Sequence, residues 1–394
     1  MIRTDLAHPK NTSVSTFVAM GGYGKVFKGK YTQPATEDGP EEEIDVAIKR
    51  IHDYDNEKND RCKRVGREID ILKKLKGNNE FIEPLHIYRA PANRNDQSLY
   101  IVMPFVPQTA HGVARNTELR QSADYVEVVV KLIIAQVLSG LQKMHAHQLY
   151  HRDMSSSNIL VDLDNNFAYI SDFGLSRSSP IGGNEMLTPM VVTLPFRALE
   201  LLLDPSAKGG YSPALLDLWG VGMIMWELLT GSSVQGTDEI KQAILIINTI
   251  FGGKLEFDFW KSYNNGSTKN ATAFLEKNQG KLAQNTAFPE HITSTSQACQ
   301  DVLFKLLSQI PEKRGSAAEI LDMPWFDDEY VKEALTFLRS TQPSADIDYA
   351  KDVDPTEAFF DEIAPRLTEE EFQMTTIKHT SSKTLPSSAP LTLV

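Results

Sequence analysis

The stretch that decides the fold runs from Tyr150 to Arg177 and reads YHRDMSSSNILVDLDNNFAYISDFGLSR. It begins with a His-Arg-Asp run that ends at Asp153, reaches an amide at Asn158, and returns through apolar residues to an Asp-Phe-Gly run that begins at Asp172. Phosphoryl transfer needs an acceptor for a hydroxyl proton and oxygen ligands for magnesium far more than it needs a covalent nucleophile. Asp153 would supply the acceptor, and Asn158 and Asp172 would supply the ligands.

Length and composition describe an ordinary globular protein. The chain has 394 residues, of which 41% are hydrophobic and 23% are charged, enough to bury one two-lobed core or two separate cores. The net charge of −12 disfavours a nucleic-acid partner, because binding to phosphates favours a basic protein face. No uncharged apolar run is long enough to cross a bilayer, and the N-terminus lacks an apolar signal segment. We therefore expect no nucleic acid and no membrane among its partners.

Cysteine usage bears on the cellular compartment. Only Cys62 and Cys299 occur, and their wide separation gives neither a disulfide framework nor a zinc-ligand spacing. A reducing compartment fits this usage, so we expect the protein in the nucleus, the cytoplasm or both.

Three patterns lie upstream of the quoted stretch. A glycine-rich cluster, Ala19 to Gly24, separates two strand-like runs. The segment Val46 to Lys49 alternates as a strand does and ends in a lysine, and Arg61 to Leu75 has apolar residues at helical spacing and carries Glu68. Taken singly they are common features: a tight turn, a surface lysine and a solvated glutamate. Their occurrence together, in this order, is uncommon.

These motifs resemble those of the eukaryotic protein kinases, and the resemblance covers residues 16–328. It implies an α+β bilobal fold, with a small β-rich N-lobe that has one main helix and a larger, mostly helical C-lobe. It predicts a flexible arm at 1–15, the N-lobe at 16–104, the C-lobe at 105–328, and a helix followed by a disordered acidic and Ser/Thr/Pro-rich tail at 329–394. The expected helices are Arg61 to Leu75, Tyr125 to His145, Leu215 to Leu229 and Glu329 to Arg339.

The resemblance implies an ATP and Mg²⁺ site between the lobes. Lys49, paired with Glu68, would hold the α- and β-phosphates, while Asn158 and Asp172 would bind the metal. Asp153 would orient and deprotonate the acceptor hydroxyl of a protein side chain. The nucleotide would contact the glycine-rich cluster, the strand of the lysine and a hinge; the residues predicted for this are Ala19, Met20, Gly21, Gly22, Tyr23, Gly24, Val26, Ala47, Lys49, Met103, Phe105 and Val106.

Four residues matched by the resemblance would brace the site rather than react. Asp217 would hydrogen-bond the backbone of the His-Arg-Asp loop, and Arg314 would pair with Glu200, a contact that fixes geometry more than it stabilises. Thr193, together with Arg197 and Glu200, belongs to an activation segment for protein substrates. These residues disfavour a kinase for small molecules.

Within the kinases the chain looks closest to the cyclin-dependent group. The resemblance rests on Arg67 to Ile69, the run Asp172 to Arg177, Val191 to Leu194 with Arg197, and the segment from Ile240. Members of the group include kinases that phosphorylate the activation loops of other cyclin-dependent kinases, among them divergent single-subunit fungal forms. The resemblance therefore implies a protein substrate, with another cyclin-dependent kinase as a candidate, and a cyclin-like or other regulatory subunit.

A phosphorylated threonine is also implied by this group. Thr188 occupies its place, and Arg67, Arg152 and Arg177 match the arginines that bind its phosphate, because guanidinium groups suit a dianion. A phosphate there would join three parts of the chain: the helix that carries Arg67, the catalytic loop from His151 to Asn158, and the activation segment that ends at Glu200. The alternative is an ordinary loop threonine, with arginines that pair with carboxylates.

Two departures from the family pattern affect the functional prediction. Ser155 stands where serine/threonine kinases usually have a lysine that contacts the transferred phosphate, and the loss of that cation should weaken transition-state stabilisation. Pro195 replaces a tryptophan next to the pocket for the substrate residue after the acceptor, which puts proline-directed specificity in doubt. The first hypothesis is an active serine/threonine kinase. The alternative is a pseudokinase or low-activity scaffold.

Overall fold

The computed structural model describes residues 12–21, 24–33, 42–51, 60–89, 99–178, 192–203, 211–262, 277–282 and 289–340. These residues fall into two compact units. The smaller unit contains the described residues before 52 together with 85–105, and the larger contains 60–84 and the described part of 106–340. Residues 60–84 thus group with the larger unit although they lie inside the predicted N-lobe, and the predicted domain bounds stay a prediction.

The smaller unit is a five-stranded antiparallel sheet in the order β1-β2-β3-β5-β4. Its strands are β1 Thr12–Gly21, β2 Gly24–Gln33, β3 Glu42–Ile51, β4 His86–Arg89 and β5 Leu99–Pro104. Alternate residues of a strand face the same side, and here Phe27, Ile48 and Val102 form a small apolar core on one face. The β-rich character predicted for this part of the chain is confirmed.

The first strand begins inside the segment predicted to be a flexible arm. That prediction for 1–15 rests on polar residues without periodicity, yet β1 begins at Thr12, which pairs with Tyr31 on β2. Backbone pairing with a neighbouring strand satisfies amides and carbonyls whatever the side-chain pattern is. The prediction is therefore wrong for 12–15, and residues 1–11 lie outside the described residues.

The third strand likewise extends into a segment predicted to be an acidic loop. The acidic residues between Glu37 and Glu43 predict a solvated loop in the sequence, but β3 begins at Glu42. The Asp45 carboxylate on β3 lies 2.6 Å and 2.9 Å from the ammonium groups of Lys28 and Lys30 on β2. Opposite charges across neighbouring strands favour their pairing, which explains why acidic residues are accommodated in this strand.

The larger unit is mostly helical, as predicted. Its first helices are α1 Asp60–Leu75, α2 Ala110–Arg115, α3 Thr117–Arg120, α4 Lys131–Ala146, α5 Leu199–Leu203, α6 Pro213–Thr230, α7 Glu239–Phe251 and α8 Phe257–Ser262. Further helices span Glu290–Thr293, Gln297–Leu306, Ala317–Leu321 and Glu329–Ser340. The four expected helices are confirmed, with ends that differ by at most two residues from the expectation when the π-helical turn Tyr125–Val130 is counted with α4.

One helix is long and apolar enough, by length and composition, to cross a membrane. A π-helical turn at Tyr125–Val130 leads into α4, and together they span 22 residues that include an apolar window of 18 residues. Within this span, 72% of the apolar window is buried inside the larger unit. Packing in the protein core accounts for that apolar surface, because Leu138 and Leu141 on α4 are completely buried.

A short hairpin positions the predicted metal ligands. Strands β6 Gln108–Thr109, β8 Ile159–Asp162 and β9 Phe167–Ile170 form a three-stranded sheet, and a second small sheet pairs β7 Leu149–Tyr150 with β10 Arg177–Ser178. Ile159 pairs with Ile170 at one end of the β8–β9 hairpin. Asn158 precedes this end and Asp172 follows it, so antiparallel pairing brings the two residues to the same end of the hairpin.

The last described helix ends one residue later than the sequence predicts, inside the predicted disordered tail. Disorder was expected from Ser340 onwards, but the helix Glu329–Ser340 includes that residue. Val331 and Leu338 on one side of this helix are buried, which explains its formation from an amphipathic segment. The rest of the predicted tail, 341–394, lies outside the described residues.

Candidate active site

The carboxylate of Asp153 lies at the centre of a network of hydrogen bonds. Thr193 donates to its Oδ1 twice, from the backbone amide at 3.1 Å and from the hydroxyl at 2.9 Å. The Nδ2 of Asn158 lies 2.8 Å from the backbone oxygen of Asp153 and 3.4 Å from its Oδ2. The structure thus brings together three residues that the sequence places in a reactive loop and an activation segment.

The Asn158 side chain is oriented by the same bonds. Because its Nδ2 donates to Asp153, its amide oxygen is the atom suited to a cation. The backbone oxygen of Asn158 accepts from the amide and hydroxyl of Ser171, both at 2.9 Å, which fixes the start of the hairpin against its end. Asp172 follows directly, in the left-handed backbone region at φ +62°. The two predicted metal ligands are therefore held on adjoining backbone segments.

Aromatic packing fixes the Asp-Phe-Gly run. The Phe173 ring is buried and meets the rings of His151 and Phe81 edge to face, with centroids 5.5 Å and 5.9 Å apart. His151 also accepts from the amide of Asp153 at Nδ1 and therefore donates from Nε2 to the carbonyl of Ser171. This histidine links the loop of Asp153 to the residue before Asp172.

Asp217 holds the His-Arg-Asp run from the start of α6. Its Oδ2 accepts from the amide of His151 at 3.0 Å, and its Oδ1 accepts from the amide of Arg152 at 2.7 Å. The structure places this residue as predicted. It also adds a partner that sequence reasoning missed, because His145 Nε2 lies 2.9 Å from Asp217 Oδ2. The only signal for His145 was its place in the last turn of the helix before the loop.

The middle of α6 makes close contact with the same loop. Gly220 lies against Met154, and a Cβ added to this glycine would stand 2.6 Å from the Met154 Cβ and 3.0 Å from its carbonyl oxygen. A side chain of any size would push the loop away from the helix. The glycine therefore permits the close approach that lets Asp217 reach the backbone.

The end of α6 contributes a second buried carboxylate, which the sequence did not point to. Glu227 is completely buried, and its two oxygens accept from the hydroxyl of Ser156 at 2.7 Å and from Nδ1 of His111 at 2.8 Å. Ser156 belongs to the catalytic loop and His111 to α2. Because these residues are far apart in the chain, spacing alone carries no signal for the contact.

The braces of the activation segment lie in the larger unit. Arg314 donates from both terminal nitrogens to the carboxylate of Glu200, at 2.6 Å and 2.9 Å. Both side chains are buried, so the structure brings this predicted pair together. Arg197 lies 2.5 Å from Glu239 and donates twice to the carbonyl of Val192. These bonds connect the end of the activation segment to α7.

The predicted phosphate-anchoring residues lie in different units. Lys49 is on β3 of the smaller unit, whereas Glu68 is on α1 of the larger and is 5% exposed. Their predicted ion pair stays a prediction. A polar side chain buried on α1 is consistent with a paired role, because buried carboxylates need partners.

The predicted nucleotide-binding residues lie mainly on the sheet of the smaller unit. Ala19 pairs with Val26, Ala47 pairs with Met103, and Phe105 donates its amide to the carbonyl of Asp45 at 3.0 Å. Met20 and Gly21 are the last residues of β1, and Gly24 is the first residue of β2. Val106 belongs to the larger unit. Gly22 and Tyr23 lie outside the described residues. Their role in binding a nucleotide stays a prediction.

The family model for the protein kinase domain matches residues 14–326. The chain belongs to the protein kinase family. This membership and the two units, one a sheet and one mostly helical, bear out the bilobal α+β kinase fold expected from the sequence.

Relatives of this kinase include cyclin-dependent kinases. Cyclin-dependent kinase C-2 of Oryza sativa subsp. japonica is 32% identical over 322 residues, covering 78% of this chain and 58% of that protein. Cyclin-dependent kinase 9 of Rattus norvegicus is 33% identical over 235 residues, covering 58% of each. Cyclin-dependent kinase C-2 C of Arabidopsis thaliana is 28% identical, covering 78% of this chain and 43% of that protein. The chain spans about half the length of the curated relatives it matches. The expected resemblance to the cyclin-dependent group is confirmed.

The predicted phosphate-binding arginines have neighbours in this kinase that the sequence did not reveal. Arg152 is 2% exposed, and its guanidinium donates to the phenolic oxygen of Tyr211 at 3.1 Å and lies 3.5 Å from the carbonyl of Leu175. Arg177 donates to the carbonyl of Ser176 at 3.0 Å. Thr188 and the side chain of Arg67 lie outside the described residues, so the predicted phosphate site as a whole stays a prediction.

Ser155, the main departure from the family pattern, is almost completely buried. It is 4% exposed, and its backbone oxygen accepts from the amide of Asn158 at 3.0 Å. The residue therefore contributes to the turn that presents Asn158, and a hydroxymethyl group stands where the family has a cation. A lysine that could contact a transferred phosphate is therefore absent at this position.

Proposed function

We propose that this kinase transfers the γ-phosphate of Mg-ATP to a serine or threonine hydroxyl of a protein substrate. The observation that carries the proposal is the anchored Asp153 carboxylate, with the Asn158 amide bonded to it and Asp172 on the adjoining segment. Membership of the protein kinase family supports the same reaction class.

Each group has a distinct task in this reaction. The acceptor hydroxyl gives its proton to Asp153 while its oxygen forms a bond to the γ-phosphorus, and the bond to ADP breaks. Bound Mg²⁺ would neutralise the charge that develops on the phosphates, and the oxygens of Asn158 and Asp172 are donors of the kind this ion prefers. Lys49 would bind the α- and β-phosphates. Thr193 keeps the carboxylate of Asp153 aligned for proton transfer.

Ser155 favours a slow kinase or a scaffold as the second candidate. A lysine at this place would stabilise the negative charge of the transition state, and electrostatic stabilisation is usually the largest catalytic term. The buried Ser155 cannot supply that charge. The intact set of Lys49, Asp153, Asn158 and Asp172 supports activity over the scaffold.

The proposed substrate is the activation loop of another cyclin-dependent kinase, in the nucleus, the cytoplasm or both. The likeness to cyclin-dependent kinases supports this substrate and a cyclin-like or other regulatory subunit. Purified chain should be incubated with radiolabelled ATP and an unphosphorylated cyclin-dependent kinase, with and without a cyclin. Transfer by the isolated chain would support a single-subunit kinase, whereas transfer that requires the cyclin would support a regulatory subunit.

The substitution Asp153→Asn tests the reaction itself. The amide oxygen can still accept from Thr193, but the residue can no longer take a proton, so we expect transfer to fall at least about a hundredfold. ATP binding, measured by calorimetry, should stay nearly the same. Asp164→Asn in the exposed β8–β9 turn is the matched control and should retain full activity. Equal activity of the two variants would contradict the assignment of Asp153.

A further inference from the structure

A chain of hydrogen bonds connects the surface of the larger unit to the catalytic loop. Arg115 Nε donates to His111 Nε2 at 2.8 Å, and His111 Nδ1 lies 2.8 Å from Glu227 Oε1. The other oxygen of Glu227 accepts from the Ser156 hydroxyl at 2.7 Å. Arg115 and His111 lie on α2, Glu227 lies on α6, and Ser156 belongs to the loop.

The direction of each bond follows from the chemistry of the donors. An arginine can only donate, so Nε2 of His111 accepts and Nδ1 carries the proton that is donated to Glu227. Glu227 therefore uses one oxygen for the imidazole and the other for the serine hydroxyl. A buried carboxylate in this arrangement holds both donors strongly, because bonds to charged acceptors are about twice as strong as neutral ones.

Ser156, the last residue in this series of hydrogen bonds, begins the turn that carries a predicted metal ligand. Residues Ser156–Asn158 form one 3₁₀ turn, which places the anchored serine at its first residue and Asn158 at its last. Asn158 in turn bonds the backbone oxygen of Asp153 at 2.8 Å. A displacement of the serine would therefore move both the metal ligand and the residue proposed as the proton acceptor.

We propose that Glu227 is a positioning residue for phosphoryl transfer, acting through Ser156 on Asn158 and Asp153. This inference rests on the proposed kinase function and adds residues that the family motifs did not supply. The contact requires a hydroxyl at position 156, so it depends on the serine that this protein has there. His111 orients the carboxylate from the opposite side, and Arg115 orients the imidazole.

The chain offers a matched control for the loss of such a contact. Ser139 donates to Glu80 at 2.7 Å, the same length as the bond from Ser156 to Glu227. Both serines are 1% exposed and both glutamates are completely buried. Ser139 lies on α4, and its hydroxyl bonds to Glu80 rather than to the carboxylate on α6 that contacts the loop, so its removal costs a buried bond of the same kind without releasing the loop from α6.

The test compares Ser156→Ala with Ser139→Ala in the full chain. We expect similar downward shifts of the melting temperature, but only Ser156→Ala should lower kcat, by about tenfold, because small misplacements of reacting groups are costly. The same variant should need more Mg²⁺ for half-maximal activity, with a nearly unchanged KM for the protein substrate. Ser156→Thr keeps the hydroxyl and should restore most of kcat.

His111→Ala keeps the inference testable if Ser156→Ala does not fold, because the His111 side chain is 41% exposed and tolerates truncation better. It should lower kcat by about threefold and raise the Mg²⁺ requirement in the same direction. Equal kcat and equal Mg²⁺ dependence for the Ser139 and His111 variants would overturn the inference in that case.

The main test has two outcomes that contradict the inference. Equal kcat and equal Mg²⁺ dependence for Ser156→Ala and Ser139→Ala, with an active wild type, would overturn it directly. A wild type that transfers no phosphate would overturn the proposed function, and the inference with it.

Discussion

The two ends of α6 hold the catalytic loop in different ways. Near the start of the helix, Asp217 accepts from the backbone amides of His151 and Arg152, which any residue except proline would offer at these positions. Near its end, Glu227 accepts from the side chains of Ser156 and His111. A carboxylate that binds amides holds the loop whatever its side chains are, whereas one that binds a hydroxyl depends on one residue. The first contact is general and the second is specific to this sequence.

The largest expected effect comes from the general contact. Asp217→Ala would leave two buried amides of the loop without their acceptor, and each unsatisfied group costs about 1–3 kcal/mol. We expect the free energy of unfolding to fall by about 2–6 kcal/mol, with loss of phosphate transfer. Urea denaturation followed by circular dichroism measures the first quantity.

The comparison of the two helix ends depends on this result. Ser156→Ala removes one donor from Glu227 and should cost less stability than Asp217→Ala. A larger loss for the serine variant would mean that the side-chain contact, rather than the backbone contact, dominates the packing of the loop on α6.

A second prediction concerns the helix between its two ends. Gly220→Ala would place a Cβ 2.6 Å from that of Met154, so the loop must shift, at a cost of about 1–3 kcal/mol. Both contacts of the loop with α6 would lengthen together, and activity should fall with stability. Thermal unfolding and transfer assays on the same preparation check this.

Gly66→Ala on α1 is the control, because among the described residues no atom lies within 4 Å of an added Cβ there, apart from the glycine's chain neighbours and the helix's own nearby backbone. A glycine in a helix interior is about 0.5–1 kcal/mol less favourable than alanine, so this variant should be slightly more stable than the wild type. If both glycine variants lost stability equally, close contact with Met154 would not be the cause.

The smallest effect is expected from a third carboxylate, which also depends on side-chain donors but lies nearer the surface. Glu127 contacts Lys131 at 3.0 Å, the Ser296 hydroxyl at 3.0 Å and the Trp325 indole at 2.9 Å. Burial raises the pKa of this carboxyl, but the bonds from the three donors outweigh it and hold the pKa below the ordinary value of 4.5.

The pKa shift of Glu127 predicts a dependence of stability on pH. Because the folded-state pKa is lowered, the charged form stabilises the fold above the ordinary pKa, and this contribution is lost as pH falls through the folded-state value. Glu127→Gln should therefore reduce the loss of unfolding free energy between about pH 6 and pH 3. Unchanged pH dependence in urea titrations would show that the contact contributes nothing measurable, as for many exposed ion pairs.

Prediction from the sequence succeeded where the signal is local. Apolar spacing predicted α1 and α4, because a helical face repeats within a few residues. It was wrong for the start of β1 at Thr12 and of β3 at Glu42, where pairing with β2 decided the conformation of polar residues. A strand's partners lie elsewhere in the chain, so its ends cannot be read from its own residues.

The candidate site divides in the same way. The arrangement of Asp153, Asn158 and Asp172 follows from one loop and one hairpin, so their order in the chain was enough to bring them together. His145 on α4 reaches Asp217, and Glu227 on α6 reaches Ser156 of the loop, only because these segments pack against one another. No short motif contains both partners of these contacts.

The sequence by itself determined which groups this kinase has for the proposed phosphate and metal binding and the proposed proton transfer, and their order along the chain. These properties are local, because each motif carries its own reactive atoms at a short spacing. Only the tertiary structure decided what holds them. The close approach of the loop to α6 at Gly220 lets Asp217 bind backbone amides and Glu227 bind Ser156, and close packing between distant segments is a property of the folded core.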